Sequence, residues 1–239
     1  MTAHGTFYAL GLGPGDADLM TVRAHTLLQR VQTICAPVRT PGGRSYALQI
    51  AGELIDPAWQ HVETLAFPDS GVGWRDHVDR MVALLADGDL AFVTEGDPLL
   101  YSTFIGVFRE LQDHHPQVRV SIVPGVASPM AAAAAAALPL ADDEQRLAIL
   151  PAMYAVEALP DTLRQFDTVV LLKVSSVLDA ALACIECCGE ARHVLHVRRV
   201  GRPEQSILSG VERIRSAPAE VRNDYLSLLI VTCSPGAGR

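Results

Sequence analysis

Tyr8-Ala-Leu-Gly-Leu-Gly-Pro-Gly-Asp16 is the stretch on which the fold turns. A short apolar run stops abruptly in glycine and proline. Glycine lets backbone approach a neighbour or a ligand closely, and proline sets the chain direction. Two later stretches stop in the same way, Ala91-Phe-Val-Thr-Glu-Gly-Asp-Pro98 and Ser121-Ile-Val-Pro-Gly-Val-Ala-Ser128. Apolar runs of this length, bounded by turn residues, read as buried strands. In an open α/β sheet, ligands bind outside the carboxyl ends of the strands. Three such ends can line one pocket together.

Alone, the first junction leaves a structural turn and a ligand loop both open. A dinucleotide loop, G-x-G-x-x-G, needs its third glycine at position 16, which is Asp16. The acidic ribose partner expected about twenty residues further on is also missing, because that stretch reads Ile34-Cys-Ala-Pro37. A nicotinamide oxidoreductase is thus disfavoured.

Strands are expected at 6–12, 33–36, 61–65, 89–94 and 118–123. Helices between them are expected at 21–30, 45–54, 74–85 and 102–114, the third with its apolar residues on one face. Thr21 is a natural N-cap, and Pro116 marks the end of the last helix. The alanine run Ala131–Ala137 predicts a slim helix. Pro139 and the acids up to Glu144 interrupt the pattern. They suggest an N-terminal α/β domain, residues 1–140, and a C-terminal one, 141–239. The second half reads as a mixed sheet with strands at 147–150, 168–172, 193–197, 206–208 and 225–231.

A chain of 239 residues can bury a real core, and a net charge of −8 argues against nucleic acid or anionic lipid as partner. No run reaches the roughly 20 apolar residues of a membrane span. The N-terminus enters a strand without a signal-like segment, so a cytoplasmic location is expected. Cys184-x-x-Cys187-Cys188, with His193 and His196 beyond it, invites a metal reading. There is no second CxxC pair, and 177–188 has helical periodicity, so no metal site is expected. The sequence also holds no Ser-His-Asp set, no paired catalytic carboxylates and no P-loop.

Taken together, the three junctions resemble the tetrapyrrole methylases, which use S-adenosylmethionine. In that family the first strand runs into Gly-x-Gly-Pro-Gly-Asp, a middle strand ends in Gly-Asp-Pro and a later one in Pro-Gly-Val or Pro-Gly-Ile. The resemblance covers nearly the whole chain. It implies two α/β domains with an S-adenosylmethionine cleft between them, and a homodimer. Finer segments resemble precorrin-2 C20-methyltransferases of cobalamin synthesis: Pro41-Gly-Gly-Arg-Ser-Tyr-Ala47, Glu95-Gly-Asp-Pro-Leu-Leu-Tyr-Ser-Thr-Phe104, Leu150-Pro-Ala-Met-Tyr154 and Arg199-Val-Gly-Arg-Pro-Glu-Gln205. The acceptor is then precorrin-2 or cobalt-precorrin-2. A sister methylase of another corrin precursor is the nearest alternative. A tetrapyrrole carrier without turnover is the alternative of a different class.

The resemblance assigns donor contacts to Pro14, Glu95, Gly96, Asp97, Leu100, Ala127 and Ser128, and more loosely to Lys173 and Val200. Glu95 stands where many relatives have glycine, and Lys173 where many have methionine. A charged Lys173 pointing inward would repel the sulfonium, so its side chain is expected to point away from it. The acceptor carries acetate and propionate groups, and arginine pairs with carboxylates in bidentate fashion. Arg39 and Arg44 in one loop, and Arg199 with Arg198 and Arg202 in another, are the candidates. No catalytic residue is assigned.

Overall fold

The structure, a computed structural model, describes residues 5–68, 71–189 and 191–233. The chain divides into two compact units, Met1–Ala127 and Ser128–Arg239. The sequence suggests a divide near 140, whereas the contacts put it after residue 127. Pro139 and the acids 142–144 mark an exposed turn instead.

The first unit is a doubly wound parallel sheet. Its elements run β1 (Phe7–Gly11), α1 (Val22–Leu28), β2 (Thr33–Val38), α2 (Tyr46–Ala51), β3 (His61–Ala66), α3 (Trp74–Leu84), β4 (Leu90–Thr94), α4 (Phe104–His114) and β5 (Val120–Val123). The strand order is β3-β2-β4-β1-β5. Alternation along the strands decides the two faces. Leu10, Ile34, Ala91 and Val93 pack with Leu28 of α1 and Ile50 of α2. Phe7, Ala9, Cys35 and Phe92 pack with Met81 of α3 and with Phe104 and Leu111 of α4. Helix starts follow local chemistry. The Thr21 hydroxyl accepts from Ala24 N–H at 3.2 Å, and Ser45 from Leu48 N–H at 3.4 Å. All five strands run the same way, so every carboxyl end emerges at one edge.

The second unit holds α5 (Ser128–Ala135), β6 (Leu147–Pro151), α6 (Ala152–Ala155), α7 (Leu159–Gln165), β7 (Thr168–Leu172), α8 (Leu178–Cys188), β8 (Ala191–Arg198), β9 (Ser206–Ser209), α9 (Val211–Arg215), α10 (Ala219–Arg222) and β10 (Ser227–Cys233). Its strand order is β6-β7-β10-β8-β9, with only β6 and β7 parallel. Leu159, Leu163, Leu178, Leu182 and Ile185 pack on Val169, Leu171, Leu229 and Val231. The registers bring the ends of β6, β7 and β8 and the start of β10 to one edge. Among the described residues, no helix is long and apolar enough to cross a membrane.

Candidate functional site

The three Gly/Pro junctions meet at the carboxyl edge of the first sheet. Gly96 N–H donates to the Gly13 carbonyl at 2.7 Å, and Gly13 N–H returns a bond to Gly96 at 3.4 Å. Leu12 N–H donates to the Thr94 carbonyl at 2.9 Å. A Cβ on Gly11 would lie 2.6 Å from Gly125 N and 2.7 Å from Gly96 O. One on Gly125 would lie 2.1 Å from Gly96 O. No side chain fits at either position, so glycine is required for three backbones to touch.

Polar side chains lock the contact. The Asp97 carboxylate accepts from Leu99 N–H at 2.8 Å and from Gly125 N–H at 3.1 Å. It closes its own turn and ties the second junction to the third. The Thr21 hydroxyl, besides capping α1, donates to the Pro124 carbonyl at 3.4 Å. Buried Thr94 shares a hydrogen bond with the Ser102 hydroxyl at 3.0 Å. The motifs marked Asp97 as a donor contact; its role as a clamp depends on a partner 28 residues away. In the sequence Thr21 carried only a capping signal, and Ser102 none.

Gly96 differs from Gly11 and Gly125 in having open space beside its backbone. Its φ is +65°, which favours glycine, and an added Cβ would meet only the Ala127 Cα, at 3.9 Å. The backbone is therefore open on the side toward the third junction. Pro14, Glu95, Leu100 and Ala127 are half-buried on the loops of these three junctions. Ser128, also half-buried, opens α5 in the second unit. Arg39 and Arg44 are exposed on the loop that leaves β2 at the same sheet edge as the junctions. Arg44 immediately precedes the Ser45 cap.

The remaining candidates lie at strand ends of the second unit. Lys173 is exposed, follows β7 with φ +55°, and sets its ammonium 5.7 Å from the centre of the Tyr225 ring. Val200 is buried just after β8. Arg199 donates from Nε to the Asp224 carboxylate, and Arg198 Nε does so at 2.8 Å. That engagement narrows what Arg199 offers an acceptor: the sequence shows an arginine cluster, and the fold shows that two of its members hold an internal acid. Burial pushes the Asp224 carboxyl up, but hydrogen bonds from Arg199, Leu226 N–H and Arg198 outweigh it and hold it below its ordinary value.

His196 on β8 is fully buried, and neither ring nitrogen has a hydrogen-bond partner among the described residues. Burial, reinforced by the nearby Arg198 charge and opposed by Asp224, lowers its pKa to about 4. The imidazole is neutral at physiological pH. The three clustered cysteines occupy the end of α8. Among the described residues, no group of three His, Cys, Asp or Glu is arranged to hold a metal ion.

A family model described as Tetrapyrrole (Corrin/Porphyrin) Methylases matches residues 6–214. The chain belongs to the tetrapyrrole methylase family. Among methylases, it is 32% identical over 230 residues to a Methanocaldococcus jannaschii protein named "Probable cobalt-precorrin-2 C(20)-methyltransferase", covering 94% of each chain. It is 35% identical over 178 residues to the cobalt-precorrin-2 C(20)-methyltransferase of Salmonella typhimurium, covering 72% of this chain and 73% of that one. The X-ray structure of cobalt precorrin-4 methyltransferase superimposes with a TM-score of 0.76 at 22% identity, covering 97% of this chain and 96% of that one. Uroporphyrin-III C-methyl transferase from Thermus thermophilus, solved with S-adenosylhomocysteine, gives 0.64 at 22% identity, covering 95% and 97%. Those two likenesses establish the methylase fold.

Proposed function

We propose that this methylase transfers a methyl group from S-adenosylmethionine to C20 of precorrin-2, or of its cobalt complex, in cobalamin biosynthesis. The observation that carries the reading is the convergence of Gly11, Gly96 and Gly125, which leaves Gly96 backbone open beside Ala127. Full-length similarity to a relative named for C20 methylation supports the choice of acceptor position. A fold neighbour solved with S-adenosylhomocysteine supports the choice of donor.

When bound, the donor supplies an activated methyl on a positive sulfur. A carbon–carbon bond forms at the acceptor's meso carbon as the carbon–sulfur bond breaks. The bonding pair stays on sulfur, and the product carbon sheds a proton. Chemistry of this kind asks the protein chiefly for in-line placement at about 3–3.5 Å. The first-unit residues suit that task. Asp97 and the Gly13–Gly96 bridge hold the loops rigidly, and Gly96 lets a ligand approach the main chain. Pro14, Glu95, Leu100, Ala127 and the adjoining Ser128 are the proposed donor contacts around that backbone; the family resemblance adds Val200 more loosely. Arg39 and Arg44 are the proposed acceptor contacts.

Incubation with methyl-labelled S-adenosylmethionine and precorrin-2, with and without cobalt, followed by NMR, tests the reading. Label at C20 is expected. Label at another carbon favours a sister methylase, and binding without transfer favours a carrier. A cytoplasmic homodimer is part of the same proposal, and sedimentation at micromolar concentration is expected to give twice the chain mass.

A further inference from the structure

Among the described residues, five other than glycine hold left-handed backbone: Tyr101, Ala137, Asp143, Lys173 and Arg199. Two of them, Lys173 and Arg199, are cations that directly follow β7 and β8. Glycine adopts this conformation with less strain, so a long side chain kept there points to a use for that side chain. Lys173 is also the chain's sole lysine; all the other residues in its Lys plus Arg count of 19 are arginine.

The surroundings of Lys173 are organised around it. Its ammonium sits over the Tyr225 ring, an attractive placement for a cation. Tyr225 directly follows Asp224. Arg198, Arg199 and Leu226 N–H all donate to that carboxylate, so the segment beneath Lys173 is anchored. At the same sheet edge, α6 presents Met153 and Tyr154, which are 60% and 80% exposed. Lys173, Arg198, Arg199 and Arg202 end or follow strands at this edge, with Asp224 held by Arg198 and Arg199, and Asp179 paired with Arg222. Exposed aromatic and thioether surface beside the Lys173 ammonium complements a flat ligand rimmed with carboxylates.

We propose that Lys173 is a specificity-determining contact, pairing with a side-chain carboxylate of the tetrapyrrole acceptor, and that Tyr225 and Asp224 position it. This rests on the methyl-transfer reading above and moves Lys173 from the donor to the acceptor. The donor also carries a carboxylate on its amino-acid end. The adjacent exposed Met153 and Tyr154 favour the acceptor, whose ring is broad enough to cover them.

Binding of a soluble octacarboxylate porphyrin, followed by absorbance, and of S-adenosylhomocysteine, followed by calorimetry, tests the assignment without turnover. Lys173→Gln is expected to weaken porphyrin binding by roughly twofold to fivefold, the range of an exposed charge pair. Lys173→Arg should recover most of it, and the S-adenosylhomocysteine affinity should stay unchanged. Lys173→Gly should remain folded while binding the porphyrin as weakly as Lys173→Gln. Asp224→Asn should weaken porphyrin binding alone but add little to Lys173→Gln, the non-additivity of a residue acting through its neighbour. Loss of S-adenosylhomocysteine affinity in Lys173→Gln would overturn the acceptor assignment. Unchanged porphyrin binding in that variant, with wild type binding normally, would overturn the role of Lys173 alone. A wild type that neither binds porphyrin nor methylates precorrin-2 would overturn the functional reading with it.

Discussion

Gly96 combines two demands in one residue: a left-handed backbone at φ +65° and an open side toward Ala127. Gly96→Val introduces strain of about 1–2 kcal/mol and fills the open side. Donor affinity of the folded variant, read by calorimetry, should fall at least tenfold, about 1.4 kcal/mol. Unchanged affinity would remove this turn from the site. His196 makes a different prediction. Its folded pKa of about 4 lies below the ordinary value of 6.5. The fold therefore favours the neutral ring, and unfolding below pH 6.5 takes up a proton. The stability that His196 supports is full above 6.5 and is lost as pH falls from there to about 4, in total roughly 3 kcal/mol. Asp224 acts in the same direction but only below its ordinary value of 3.8. Urea unfolding of wild type and His196→Leu between pH 7 and 4.5 separates the two. The wild type should lose more stability across that range, and parallel pH profiles would refute the role of His196.

At the scale of elements, Gly106 shows how packing overrides propensity. Inside a helix alanine is better than glycine by up to about 1 kcal/mol, and Gly106 lies in the first turn of α4. Yet a Cβ on Gly106 of α4 would lie 1.8 Å from the ring of Trp74 on α3. That ring is held, because its indole N–H donates to the Pro68 carbonyl at 2.9 Å. Overpacking costs about 1–3 kcal/mol, so Gly106→Ala should lower the urea midpoint and shift Trp74 fluorescence. A raised midpoint would show that α3 and α4 part without cost. Most elements were legible beforehand, because strand alternation and helical spacing are local patterns. The alanine helix has other ends than the run Ala131–Ala137 suggests. It starts at Ser128, since Pro129 suits a first turn, and it has closed by Ala137, whose φ of +49° is left-handed. A run of identical alanines carries no mark of either boundary.

Over the whole molecule, a net charge of −8 opposes an acceptor that is itself polyanionic. Local arginines must offset it, and Arg44, exposed at the carboxyl edge of the first sheet, is the best-placed single candidate. Arg44→Ala should raise the acceptor KM by a factor equivalent to roughly 1.5–3 kcal/mol if the contact is shielded, and by less if the loop stays wet. Donor affinity should not change. The wild-type KM should climb with ionic strength, and the variant should flatten that slope. An unaltered KM and slope would leave Arg44 a solvated loop residue. The amino-acid sequence by itself determined where the chain turns, which runs form strands and helices, and that three strand ends share one chemistry. Those properties follow from glycine and proline backbone limits and from side-chain periodicity, which act over a few residues. Only the tertiary structure decided the strand order β3-β2-β4-β1-β5 and the backbone contact of Gly11, Gly96 and Gly125. It alone turned Asp97 into a clamp on Gly125 and committed Arg199 to Asp224. Each of those partners lies more than twenty residues away, and no local pattern names the partner that a carboxylate or a glycine will meet once the chain has closed on itself.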